Sequence, residues 1–197
     1  EDTSDVNHWN KRKFRIFQLL NKYEPDIIGF QEAELWQLTD IGNEFNEYLW
    51  LGKARDDGKE KGEFTAISYK EKRFHAWDNY TYRLSETPDE PSKGWDAALN
   101  RTLTVAMFYD YMNEGIVCLF NTHFDHVGNI ARTESAKFLR EIVTEYSGKY
   151  PAVITGDFNF TEDSDGYEIL TSDEFKVENP IDDFQYKPLV NSEYISE

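Results

Sequence analysis

A helix that runs almost directly into a strand apolar on both faces constrains this chain more than any other feature. Residues 10–23 read as helix, with Ile16, Leu19, Leu20 and Tyr23 predicted on one face and Lys11, Arg12, Lys13 and Arg15 near its start. Pro25 ends it, because the residue before a proline is pushed out of the helical region. Asp26-Ile27-Ile28-Gly29-Phe30-Gln31-Glu32 follows, apolar enough for a strand buried on both faces. Such a strand needs cover on each side, which is the rhythm of an α/β or layered α+β fold. Glu32 at its end has two readings. It is a carboxylate favoured by the dipole of a helix over residues 35–45, or it is a metal ligand at a strand end.

The rest of the chain adds strands in runs. Residues 48–52 and 64–69 read as strands around the charged loop 53–63, where Asp57-Gly58 supplies turn chemistry and exposure is expected. Residues 74–84 form a third, aromatic strand leading into a long irregular segment, 85–100, that holds Pro88, Pro91, Gly94 and Trp95. Loops of this length in compact domains carry function or lack order, and Trp95 serves either as a clamp on the loop or as a substrate platform. Residues 101–111 and 115–125 read as a strand pair turning at Asn113, Glu114 and Gly115. Gly128 opens a helix to about residue 146, with Ala131, Ser135, Leu139, Ile142, Val143 and Tyr146 along one side. A strand follows Pro151, and a short helix spans 166–170. No repeat or boundary divides the chain, so residues 1–197 are read as one domain. Runs of strands punctuated by helices predict an α+β fold with packed sheets inside, not a doubly wound parallel sheet.

Two strand ends carry chemistry. Val153-Ile154-Thr155-Gly156-Asp157-Phe158-Asn159 reads as a short buried strand that closes on a glycine and then offers a carboxylate and a carboxamide. In an extended segment Asp157 and Asn159 share a face while Phe158 turns into packing. That pair suits phosphoryl chemistry, the carboxylate orienting or deprotonating a water and the amide donating to charge on phosphorus oxygens. The same Gly-Asp-x-Asn also occurs as plain strand-to-turn punctuation. Asn121-Thr122-His123-Phe124-Asp125-His126 closes the other strand. Its His/Asp/His set reads as metal ligands or as a hydrogen-bonded cluster at a pocket rim, and its spacing matches no standard zinc site.

Charge narrows the partners. Lys and Arg number 21 against 38 Asp and Glu, a formal net charge of −17. That argues against a surface that tracks duplex nucleic acid, while a divalent cation can still make a local phosphate site. Cys118 lies in the apolar run 116–120 and reads as a buried small hydrophobe. One cysteine allows no intrachain disulfide and leaves the compartment open. No apolar run approaches membrane-spanning length and no signal segment opens the chain, so a soluble monomer is expected. The first residue is Glu1, which reads as a processed chain or a fragment.

Taken together, Asp-Ile-Ile-Gly-Phe-Gln-Glu at 26–32, Asn-Thr-His-Phe-Asp-His at 121–126 and Gly-Asp-Phe-Asn at 156–159 resemble the endonuclease/exonuclease/phosphatase superfamily. The resemblance runs from about Asn7 to Leu170 and is closest to bacterial members with Ser-Glu-Thr-Pro-Asp, Lys-Gly-Trp-Asp-Ala-Ala-Leu and an arginine, here 85–89, 93–99 and Arg101. It implies a four-layer α/β/β/α sandwich of two mixed sheets and a Mg²⁺- or Mn²⁺-dependent hydrolase cleaving phosphodiesters or phosphomonoesters. By motif, Glu32 is similar to the metal ligand and His123 to the donor on the scissile phosphate. Asp157 corresponds to the residue that activates water, and Asn159 to the stabiliser of phosphoryl oxygens. Arg101, Arg55, Trp95, Asp125 and His126 are expected in the pocket wall. The expected partner is a phosphate ester, either a small molecule or a short single strand in preference to duplex DNA.

The chain also departs from that pattern. The family opens with a strand ending in an Asn that supports the metal, and it closes with an Asp that partners a catalytic His in a Ser-Asp-His motif. After Asn159 this sequence has no His. It is therefore expected to be a partial domain, cut at both ends and inactive by itself. The alternative from another class is an inactive ligand- or protein-binding domain of the same fold.

Overall fold

The computed structural model describes residues 7–172. Its elements begin α1 (Trp9–Tyr23), β1 (Ile27–Gly29), α2 (Leu35–Glu44), β2 (Tyr48–Leu51), β3 (Ile67–Lys70) and β4 (Phe74–Arg83). They continue β5 (Thr102–Asp110), β6 (Gly115–His123), α3 (Asn129–Ser147), β7 (Ala152–Asp157) and α4 (Asp165–Thr171). One sheet has the order β1-β3-β2 with antiparallel pairs, and the other has the order β4-β5-β6-β7. In the second sheet β6 and β7 run parallel, the arrangement for which α3 supplies the necessary crossover.

Side-chain alternation along β5 makes the layers. Leu103, Val105 and Met107 point outward and pack with Leu139 and Ile142 of α3. Ala106 and Phe108 point inward and meet Ile67 and Tyr69 of β3. On the far side of the first sheet, Trp9 and Phe17 of α1 pack with Ile41 of α2, Phe45 and Tyr48. The result is the α/β/β/α sandwich that the resemblance implied. Cys118 is fully buried, and burial pushes its thiol up to about 12, which fits a packing residue. Among the described residues no helix is long and apolar enough to cross a membrane.

Several sequence expectations need correction. In α1 the buried stripe follows Trp9, Ile16, Phe17 and Leu20, while Leu19 and Tyr23 are exposed at 54% and 66%. The stripe is set by Trp9, whose indole N–H donates to Asp40 at 2.8 Å, and not by the last turn. The strand expected over 26–32 is limited to β1, half-buried at the edge of its sheet, and the chain turns away before Glu32. The β7 strand is not buried: Val153 and Ile154 are 46% and 39% exposed, and among the described residues β7 pairs with β6 alone. Loop 53–63 is only partly exposed. Asp57 Oδ1 accepts N–H bonds from Lys59, Glu60 and Lys61, and the coiled loop buries Ala54 completely. The segment after Phe175, whose order the sequence leaves open, lies outside the described residues.

Where the sheets converge toward their functional end the filling between them turns polar. Asn121 on β6 is 0% exposed, and its Nδ2 donates to the carbonyls of Phe30 at 2.8 Å and Ala66 at 3.0 Å. Its Oδ1 accepts from Gln31 Nε2 at 2.7 Å and from the Thr155 hydroxyl at 3.0 Å. Gly29 leaves the room this needs, since a Cβ there would lie 2.5 Å from Thr155 Oγ1 and 2.7 Å from Asn121 Oδ1. Asn121→Leu keeps the volume but strands these partners in a dry interior. The expected cost is about 3 kcal/mol, read as a lower urea midpoint with unchanged slope.

Candidate active site

β6 and β7 end side by side, with His123 registered against Asp157, so both side chains leave the carboxyl ends of parallel strands. His123 is 5% exposed, and its Nε2 lies 3.8 Å from Glu32 Oε1 and 3.9 Å from Asp157 Oδ2. Glu32 reaches this point from a left-handed backbone conformation, φ 58°, beyond β1, with its side chain 66% exposed. The cap of the helix that follows is made by Glu34, in a reciprocal capping box with Gln37 at the start of α2. Asp157 Oδ1 accepts the Asn159 N–H at 3.0 Å, and Asn159 Nδ2 donates to the Phe124 carbonyl at 2.9 Å. Asn159 has φ 51°, so it meets Asp157 through a tight turn, and the extended geometry read from sequence does not occur. Phe158 does turn into packing, edge-on against Phe124 at 5.3 Å.

Behind His123 sits Arg101, 4% exposed. Its Nη1 lies 3.0 Å from His123 Nδ1 and 3.2 Å from Nε2, its Nη2 2.9 Å from His126 Nδ1, and its Nε 3.4 Å from Asp125 Oδ1. A guanidinium can only donate, so a ring nitrogen of His123 accepts from Arg101, and in the neutral ring the other carries the hydrogen; Nε2 is the nitrogen that faces Glu32 and Asp157. Burial above all, then Arg101 and to a lesser degree Arg55, pushes the His123 pKa below its ordinary value against the opposing pull of Asp157 and Glu32. Arg55 is itself paired with Glu63, whose carboxyl is raised by burial despite that partner.

Arg101 also decides the His/Asp/His question. Its guanidinium takes up the space among His123, Asp125 and His126, so they form the hydrogen-bonded cluster. Among the described residues no group of three or more His, Cys, Asp or Glu is placed to hold a metal. Asp125 is 1% exposed and accepts N–H bonds from Ala98, Leu99, Val127 and Gly128 at 3.1, 3.2, 3.0 and 2.8 Å. Burial opposes its ionisation, yet these donors hold its carboxyl well below the usual range. The Asp125 side chain therefore ties the 85–100 loop to the start of α3. Asp96 adds a second tie by accepting from Ala131 N–H at 2.7 Å.

Of the residues expected from sequence, Glu32, His123, Asp157, Asn159, Arg101, Asp125 and His126 come together, with Arg55 alongside. Trp95 is not bonded to this group. It sits half-buried at φ 46° with its backbone N–H on the Glu86 carboxylate, and among the described residues no hydrogen bond, ion pair or ring contact links it to the group. Two participants were not singled out from sequence. Asn121 shares the His123 face by two-residue alternation, which is a readable signal, whereas Glu63 closes a loop that carries none.

The sequence matches the model of the Endonuclease/Exonuclease/phosphatase family over residues 3–184. An endonuclease/exonuclease/phosphatase of Bacteroides vulgatus superposes with TM-score 0.86 at 40% identity, covering 89% of this chain and 67% of that one. A mannosyl-6-phosphatase of Bacteroides thetaiotaomicron gives 0.81 at 39% identity, covering 83% of this chain and 62% of that one. An uncharacterized protein of Acanthamoeba polyphaga mimivirus is 28% identical over 86% of this chain, which spans 66% of that protein's length.

Two outcomes are expected of this geometry. Because His123 resists protonation in the folded state, its contribution to stability is complete above the unfolded value near pH 6.5 and is lost as pH falls from there through the folded value. Its ring should titrate below that value by NMR. Asp125→Ala leaves the Arg101 guanidinium buried without a carboxylate, and the expected destabilisation is about 3–5 kcal/mol in urea unfolding.

Proposed function

The chain belongs to the endonuclease/exonuclease/phosphatase family, and from that premise we propose that it provides the hydrolytic centre of a phosphoesterase acting on small phosphate esters. The observation that carries this reading is the convergence of two exposed carboxylates, Glu32 and Asp157, on a buried neutral His123 backed by Arg101. In-line displacement at phosphorus is mainly a matter of positioning and charge neutralisation, and this group supplies both.

Asp157 orients the attacking water and accepts its proton, held in place by the Asn159 N–H. His123 donates its ring N–H to a phosphoryl oxygen, and Arg101 orients the ring. Asn159, anchored to the Phe124 carbonyl, turns its remaining amide N–H toward the same oxygens. Glu32 fits Mg²⁺ or Mn²⁺ in kind, since Mg²⁺ is held by one or two carboxylates and keeps several waters. When bound, such a cation would neutralise charge developing on the phosphoryl oxygens. A net charge of −17 disfavours long polyanions, and a mannosyl-6-phosphatase among the relatives supports a small substrate.

In the extended form of the domain, Asp157→Asn is expected to lower kcat at least about a hundredfold on a phosphomonoester. A near-normal rate would remove Asp157 from the mechanism. Chelator should abolish turnover, with Mg²⁺ or Mn²⁺ restoring it, and at fixed salt small esters should be cleaved faster than duplex DNA.

A further inference from the structure

Beside Glu32 the surface falls into a cleft of about 560 Å³ between the start of α1 and the start of α2. His8, Arg12, Glu34, Trp36 and Glu63 line it, and Glu32 forms the edge it shares with His123. Trp36 is 41% exposed and braced edge-to-face on Trp9 at 5.6 Å, while its indole N–H is held by the Glu34 carboxylate. The Arg12 guanidinium lies 5.6 Å from the Trp9 ring, and among the described residues it has no carboxylate partner. His8 accepts the Asn10 N–H through Nδ1, and among the described residues no hydrogen bond reaches its Nε2. The aromatic wall is thus fixed, and Glu32 and Arg12 at its sides face the cleft.

The lining identifies the chemistry. Glu32, Glu34 and Glu63 outweigh Arg12 in charge, so a second phosphate on the ligand would meet net repulsion. Hydroxyl groups meet no such barrier, because they donate to carboxylates and accept from a guanidinium. The C–H face of a sugar ring also packs on an exposed indole that is polar at its edge. We propose that this cleft is the subsite for an uncharged polyhydroxylated leaving group, the sugar ring of a hexose phosphate whose phosphoryl group lies at His123. This rests on the phosphoesterase reading and names its substrate class.

The test compares a hexose 6-phosphate with p-nitrophenyl phosphate, which carries no hydroxylated ring, in the extended form of the domain as wild type and with Trp36→Ala or Arg12→Ala. Each substitution is expected to lower the kcat/KM ratio of hexose phosphate to aryl phosphate at least about tenfold, mainly through KM. An unchanged ratio with both esters still hydrolysed overturns the subsite while leaving the phosphoesterase reading intact. If the wild type releases phosphate from neither ester, that reading fails. The cleft is then decided by saturation-transfer NMR on the free hexose. Transfer to ring protons that Trp36→Ala removes supports the subsite, and no transfer to the wild type overturns it.

Discussion

One buried carboxamide fixes how the two sheets of this protein meet. Asn121 stands on β6 with no solvent exposure, donates to backbone carbonyls at the end of β1 and the start of β3, and accepts from Gln31 and Thr155. A hydrogen bond in water is worth little net, but an unmade one in a dry interior costs the full desolvation of its partners. The sheets can therefore close in only the arrangement that satisfies all four bonds. That arrangement brings the segment bearing Glu32 over the ends of β6 and β7, and so gathers the site from residues far apart in sequence.

Arg101 and Asp125 do for the loops what Asn121 does for the sheets. Asp125 is buried yet ionised because backbone N–H groups from two segments and one guanidinium converge on it. Arg101 in turn holds the rings of His123 and His126. Within a chain of net charge −17, this places a positive centre beneath a neutral imidazole at the point where carboxylates face outward. Such a centre attracts phosphate locally without making the whole surface attractive to a polyanion.

Much of this was legible in the sequence, and the reason is periodicity. The apolar runs over 101–111 and 115–125 identified β5 and β6, which are packed on both faces, and the 3.6-residue stripe identified α3, which packs one face on the core. The chemistry-bearing residues were legible because they stand at or just beyond the ends of strands, where polar side chains break an apolar run. The reading failed where an edge or a turn intervened. Ile27, Ile28, Val153 and Ile154 look like interior strand residues, yet they lie on strands at sheet edges, a property no local pattern encodes. Leu19 and Tyr23 were placed on the wrong side of α1 because Trp9, at its first turn, sets the rotation of the helix.

The sequence by itself determined the layered α+β class, the family, and the polar residues at strand ends that form the candidate site. Those follow from local patterns and short motifs that survive whatever the chain does elsewhere. The tertiary structure alone decided that Arg101 bonds to His123, Asp125 and His126 together and that Glu34 makes the capping box of α2. It also opened a cleft beside Glu32 between the beginnings of two helices. These outcomes depend on distances between segments tens of residues apart, and such distances are set by how buried polar groups are satisfied when the sheets close.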